Sequence, residues 1–479
     1  MLHIKQISAT ALPVLIGMID ILRRAIESVT CTYADARFHQ RDSIKISVAK
    51  GELEEVLSSS ISGVGIRVLK NGSWGFSSVN SADAADLISA VKSAEKMAVL
   101  TSSSRKSRIE RLAEAKLATG KFASPAREPL ANISIEEKMK VVIEADKRMR
   151  AKSPEVVSSR CSYIESLDHK FFVSSDGADF EFLDSKPEFR VAAVCMSGQE
   201  AVIGMEAIGV TGGWKDLFSK RDGLETADLA ADKALRLLSA SHLKGGKSSV
   251  ILDPGLVGLI SHEAIGHTVE ADLVRSGTAA MDKIGKKVAS DIVTLVDSGA
   301  SEYRPGAAGS LPVDDEGVLT KRVEVIKDGT MMGFLHDRES AAFYETEPTG
   351  NARAFEYSDE PIIRMRNTFV EPGDWKFEEI VRETKEGYLL RGALNGEADA
   401  NAEFMFAIQE AQEIKNGELG KLYRGVTISG NAFAALATVD AITKDFEWEM
   451  GFGYCGKGQL AKVDGGGGYL RCITLLGGQ

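Results

Sequence analysis

Two histidines and three carboxylates fall on one short stretch: His262, Glu263, His267, Glu270 and Asp272. Their neighbours Leu256, Leu259, Ile260, Ala264, Val269 and Ala271 are apolar, so the stretch reads as a buried helix. Ionisable groups gather on a buried helix only where something compensates their desolvation, and a metal ion would do so. Imidazoles as ligands with a glutamate as general base suit metal-assisted hydrolysis. The zinc-peptidase helix spaces its histidines by four residues, whereas the spacing here is five. On a regular helix five residues turn about 500°, leaving the imidazoles roughly 140° apart. A π-type turn, with its i to i+5 repeat, would return them to one face. Gly266, a weak helix former, sits where such a distortion would be tolerated. The alternative is an ordinary helix on which Glu263 and His267, four apart, form an ion pair. The chain has seven histidines, and two of them in one segment favour the metal.

A catalytic zinc site needs a third protein ligand and an open position. Glu270 and Asp272 are local candidates, either as acceptors that orient the imidazoles or simply as solvated charges. Cys455 lies in Gly451-Phe452-Gly453-Tyr454-Cys455-Gly456-Lys457-Gly458, a glycine-rich turn whose backbone could approach an ion closely. Cys31, Cys161, Cys195 and Cys472 read as ordinary buried cysteines, and spacing alone favours that reading for Cys455 too. Asp314-Asp315-Glu316-Gly317 could hold an amine or a cation, but a solvated turn is the expectation. Arg364, Arg366 and Asn367 could meet peptide carbonyls or a carboxylate, although surface ion pairs explain the arginines as readily. His336 could stabilise a tetrahedral intermediate, or be a locally hydrogen-bonded loop histidine.

The elements that must position these groups are only partly legible. The strand Ser249–Leu252 runs into Asp253-Pro254, a helix cap followed by proline at the first helical position. Asn71-Gly72, Asp176-Gly177, Asp328-Gly329 and Asn416-Gly417 each stand between strand-like runs and predict hairpins. Around the first, 65–69 should face 74–77; around the second, 170–173 should face 179–182. Helices are expected over Asp83–Val99, from the Ser134/Glu137 capping box to about Met149, and over Ala227–Ala240. An amphipathic helix is expected over Ala9–Leu22, a stretch that contains Pro13 and Asp20 and is too short to span a membrane. Hairpins mixed with helices indicate an α+β fold. The expected division is an N-terminal α+β domain over 1–243, its antiparallel sheet flanked by helices, and a mainly antiparallel β domain over 244–479 carrying the metal-site helix. The soft segment 101–130 would separate the first domain into a pair of lobes.

A chain of 479 residues is long enough for two or more domains. Its net charge of -11 argues against a nucleic-acid surface. Five scattered cysteines suit a reducing, cytoplasmic setting better than a disulfide framework.

The run Ser261–Val274 (SHEAIGHTVEADLV) resembles the HExxxH signature of the TldD branch of the TldD/PmbA family. Gly350-Asn351-Ala352-Arg353-Ala354 and Arg364-Met365-Arg366-Asn367-Thr368 are similar to its central block. Arg424-Gly425 through Gly430-Asn431 and Gly453–Lys457 are similar to its C-terminal blocks, and 63–68 with 72–76 to its first domain. The resemblance implies a zinc metallopeptidase with one Zn2+ per chain, ligands at His262, His267 and Cys455, and Glu263 as general base. It also implies a dimer, either a homodimer or paired with a PmbA/TldE-like subunit, enclosing a cavity that admits unfolded peptides, with leader-peptide removal as one role. Within that reading His336, Arg364 and Asn367 become candidate substrate-binding residues, and an extended peptide would add to a sheet edge near the helix. Two alternatives stand beside it: a deformylase-like amidohydrolase, and a non-catalytic assembly subunit of the gyrase-modulator type, which the acidic sequence supports poorly.

Overall fold

The computed structural model describes residues 17–105 and 107–478. Most of the helix expected over Ala9–Leu22 lies outside these residues; within them a helix spans Met18–Ile26 and buries Met18, Leu22, Ala25 and Ile26. The fold is α+β, as expected.

The N-terminal half is built on one seven-stranded sheet. Its order is Ser73–Val79, Glu52–Lys70, Tyr33–Ala49, Val156–Ser174, Asp179–Ser197, Thr119–Ala123, with Glu200–Gly209 also paired to Asp179–Ser197. Only Thr119–Ala123 runs parallel to its neighbour. Four of these strands are 17 to 19 residues long, about three times the usual length. Their length lets them serve two cores. At one end Met18, Leu22 and Val91 cover Ala36, Ile66 and Phe171. At the other, Val142, Met149 and Ala230 cover Ile46, Tyr163 and Phe189. The first hairpin turns at Lys50-Gly51, both at positive φ (52° and 88°), a turn the sequence reading missed. The hairpins at Asn71-Gly72 and Asp176-Gly177 form with the expected facing residues, Leu69 opposite Trp74 and Phe172 opposite Phe180.

Helix Gly223–Leu238 starts earlier than Ala227 because Asp222 caps it, accepting from the Glu225 N–H at 2.8 Å. The segment expected to separate the lobes also touches the C-terminal half. Ala113 and Ala118 donate to the carbonyls of Arg338 and Gly317 at 3.0 and 2.8 Å, and Thr119–Ala123 joins the sheet.

In the C-terminal half, five strands close into a ring. Glu386–Ala398 pairs with Gly246–Leu252, which pairs with Leu470–Gly477, then Val426–Asn431, then Glu403–Lys415, which pairs back to the first. A second, six-stranded sheet includes Leu295–Ser298, Asn367–Val370 and Asp464–Gly467. The helix that carries His262 and His267 packs against both. At Gly258 an added Cβ would lie 2.5 Å from the Gly465 carbonyl carbon, so two glycines let helix and strand backbones touch.

The turn at Asp314–Glu316 is not solvated. All three carboxylates are buried. Lys170 from the N-terminal sheet meets Asp315 at 2.7 Å, and Arg67 meets Glu316 at 3.0 Å. Burial pushes the Asp315 carboxyl up, but Lys170 and Arg37 bring it down to about 2. The partners lie more than 140 residues away in sequence, which is why local reading of an acidic turn failed. Among the described residues no helix is long and apolar enough to cross a membrane.

Candidate metal centre

Asp253 caps the site helix, accepting from Leu256 N–H at 2.8 Å, and its other oxygen accepts from Gly392 N–H at 2.7 Å. The helix begins regularly over Pro254–Leu259 and widens into π geometry over Ile260–Gly266, where His267 N–H donates five residues back to the His262 carbonyl. The wider turn cancels the angular offset of the five-residue spacing. The two imidazoles share a face, with ring centroids 5.4 Å apart. Gly266 has ordinary helical torsions, φ -54° and ψ -49°. Its role is spatial: a Cβ there would collide with Met365 Sδ.

Cys455 completes the cluster. One donor atom from each of His262, His267 and Cys455 lies within 4.8 Å of the others, and Cys455 Sγ is 3.1 Å from His267 Nε2. Tetrahedral zinc ligands at their usual bond lengths stand roughly 3.5 Å apart, so the cluster fits such an ion. His262 is 1% exposed, and neither of its ring nitrogens has a hydrogen-bond partner among the described residues. A buried imidazole in that state is costly, and a bound cation would satisfy it. Burial pushes the Cys455 thiol up, but the two imidazoles outweigh it and bring it down to about 4. Burial lowers His267, while Cys455 and Glu270 raise it to about 10. Glu263 lies on the more open side, its side chain 25% exposed and Oε2 3.8 Å from His267 Nε2.

The cluster is held from behind. Cys455 sits on a short hairpin, Tyr454–Gly456 with Leu460–Lys462. Arg364 donates to the carbonyls of Cys455 and Gln459 at 2.6 and 2.7 Å. Lys457 reaches Asp272 at 2.7 Å and Glu270 at 3.1 Å, and donates to the Ile363 carbonyl. Glu270, fully buried, in turn meets His267 Nδ1 at 3.2 Å. Lys457 thus joins the cysteine hairpin to the histidine helix. Sequence reading passed over it, although it is the only charged residue in the run 451–458 and two carboxylates lay unpaired beside the histidines.

Three expected substrate contacts have other work here. Arg364 is fully buried and spends its guanidinium on the hairpin carbonyls. Asn367 is equally buried, donating to Ser298 and Ala300 carbonyls and accepting from Gly309 N–H. The neighbouring Arg366 is not at the surface either; its Nε meets Asp297 at 2.7 Å with both side chains fully buried. His336 lies between Phe334 and Tyr344 with Ser340 and Thr349 as partners, and burial lowers it to about 4. Asp272 bonds Lys457 rather than an imidazole.

A His–His–Cys donor set with a carboxylate on its open side has the make-up of a hydrolytic metal centre. Comparison with known proteins names the class. The domain descriptions "PmbA/TldA metallopeptidase domain 1", "central domain" and "C-terminal domain" match residues 34–98, 128–238 and 245–468. A metalloprotease of Methanocaldococcus jannaschii is 37% identical over 447 residues, covering 93% of this chain and 96% of that protein. A zinc metalloprotease TldD homolog of Saccharolobus solfataricus is 28% identical, covering 96% and 99%. The crystal structure of TldE from Thermococcus kodakarensis has the same fold, with TM-score 0.74 and 20% identity over 96% of this chain and 99% of that one. The chain belongs to the PmbA/TldD family of metallopeptidases.

Proposed function

We propose that this chain is a cytoplasmic zinc metallopeptidase that hydrolyses unfolded or small peptides, with residues 244–479 as its catalytic domain. The observation that carries the reading is the unsatisfied, buried His262 beside His267 and a Cys455 thiol held low by both imidazoles. The relatives described as metalloproteases support it. His262, His267 and Cys455 would hold the ion. Zinc there would acidify water and polarise an amide carbonyl at neutral pH. Glu263 takes the proton of the attacking water and returns it to the leaving amine. Glu270 accepts from His267 Nδ1, which turns Nε2 toward Cys455. The working unit is a dimer, with a second copy or a TldE-like chain.

Glu263→Gln tests the assignment. We expect peptide cleavage to fall about 10²- to 10⁴-fold with one zinc per chain retained by elemental analysis. Wild-type cleavage by the variant, or purified protein without stoichiometric zinc, would sink the reading. Faster turnover of formyl-methionyl substrates than of longer peptides would favour a deformylase-like enzyme instead.

A further inference from the structure

The Cys455 hairpin has a second face. Side chains alternate along a strand, so the paired Cys455 and Ala461 point into the core that holds the site helix, while the pair Tyr454 and Lys462 points the other way. There they line a cavity of about 130 Å³ between the hairpin and the N-terminal sheet. Five cations reach it: Arg41, Lys170, Lys186, Arg353 and Lys462. Four of them have a carboxylate each. Arg41 meets Asp168 at 2.7 Å, Lys170 meets Asp315 at 2.7 Å, Lys186 meets Asp184 at 3.2 Å, and Lys462 meets Glu188. The other carboxylates of the wall leave nothing over. Glu165 pairs with Lys138 at 2.8 Å, and Asp314, pushed well above the usual carboxylate range by burial and by Glu316, carries no charge.

Arg353 has no carboxylate partner among the described residues. Two of its five N–H groups are used, one from Nη1 to the Met365 carbonyl at 2.6 Å and one from Nη2 to the Lys462 carbonyl at 2.7 Å. The other three have no acceptor among the described residues. Burial and the nearby Arg364 bring Arg353 down to about 10, so it is still charged at neutral pH. A cation withdrawn from water without a counter-charge is costly, and a bound anion would relieve that cost. Much of the remaining wall is apolar and includes Phe180, Phe182 and Leu311.

We propose that this cavity binds one small aliphatic monocarboxylate, its carboxylate on Arg353 and its carbon tail against Phe180, Phe182 and Leu311. The class follows from the walls. One unpaired cation calls for one negative charge, and the rings call for a hydrocarbon body. Phosphate would bring four oxygens and a second charge to a single free guanidinium. An apolar cavity of about 150 Å³ takes a benzene, so this one suits an acid of about three or four carbons. The site lies behind the hairpin from the metal centre and does not depend on the zinc function proposed above. Its occupant would touch the reverse side of the strand that carries Cys455.

The test is a ligand-observed NMR titration of the zinc-loaded full chain with butyrate, butyramide, octanoate and phosphate. Butyrate should saturate one site per chain, and each of the others should bind about 10-fold more weakly or worse. Arg353→Met should weaken butyrate about 10- to 150-fold, and Arg353→Lys less, with circular dichroism confirming the fold of each. Repeating the titration after zinc is removed by a chelator separates this cavity from a carboxylate seated on the metal, and the butyrate affinity should not change. No saturable butyrate site, butyramide or octanoate binding as tightly as butyrate, wild-type affinity in Arg353→Met, or binding that vanishes with the zinc would each overturn the proposal. Should Arg353→Met fail to fold, the comparison of butyrate with butyramide on the wild-type chain decides it.

Discussion

Replacing Lys457 by methionine should loosen zinc and the fold together. The Lys457 ammonium neutralises Glu270, whose side chain is fully buried, and Asp272, whose side chain is 42% exposed. Breaking a buried pair by removing one partner costs about 3–5 kcal/mol. The lysine is itself 16% exposed, so that figure falls. The solvent-screened pair with Asp272 contributes at most about 1 kcal/mol. We expect a net loss of about 2–4 kcal/mol in urea unfolding with metal bound, and a smaller one without it, because an unliganded His267, raised to about 10, still sets a charge against Glu270. Zinc affinity should fall about 10- to 100-fold, the usual consequence of losing a group that orients a ligand. A chelator-competition titration reads that directly. Lys457→Arg should recover most of both quantities, and methionine at the exposed Lys444 should change neither. A Lys457→Met protein that binds zinc within threefold of wild type and unfolds within about 0.5 kcal/mol of it would refute the coupling of hairpin to helix.

Two further outcomes follow from the same geometry. Gly266→Ala drives a methyl group into Met365 and should cost about 1–3 kcal/mol and weaken zinc binding, with Met365→Ala restoring some of each; unchanged zinc affinity in the single variant would refute the packing role. His39 is held down to about 4, chiefly by burial, against the pull of Asp168. As pH falls below about 6.5 the unfolded chain therefore binds a proton the folded chain refuses, and stability drops. The loss reaches about 2 kcal/mol at pH 5, and His39→Gln should abolish that slope in urea midpoints measured from pH 7.5 to 5; parallel curves for the two proteins would contradict it.

Local chemistry made the hairpins, the caps at Ser134 and Asp253, and the anomaly at His262–His267 readable. Asn71-Gly72 and Asp176-Gly177 state their turns outright, and a five-residue histidine spacing on an apolar segment admits few geometries. What was not legible depends on partners distant in sequence. Arg364 looks like any arginine until the Cys455 hairpin folds over it, and Asp315 looks solvated until Lys170 arrives from another sheet. Gly266 shows a third kind of gap: the residue was noticed, but its reason, the proximity of Met365, exists only in three dimensions.

The long strands of the N-terminal sheet bear on how the chain finds its fold. Side chains alternate faces with a period of two, so a one-residue slip turns every one of them over. In Tyr33–Ala49 such a slip would evert Ala36 and Phe38 at one end and Ile46 and Val48 at the other. Alignment is therefore enforced twice along the same strand, and neither core can anneal in a wrong register that the other tolerates. The same arrangement makes unfolding of the two cores a single event, because whichever loosens first strips the other of its strands.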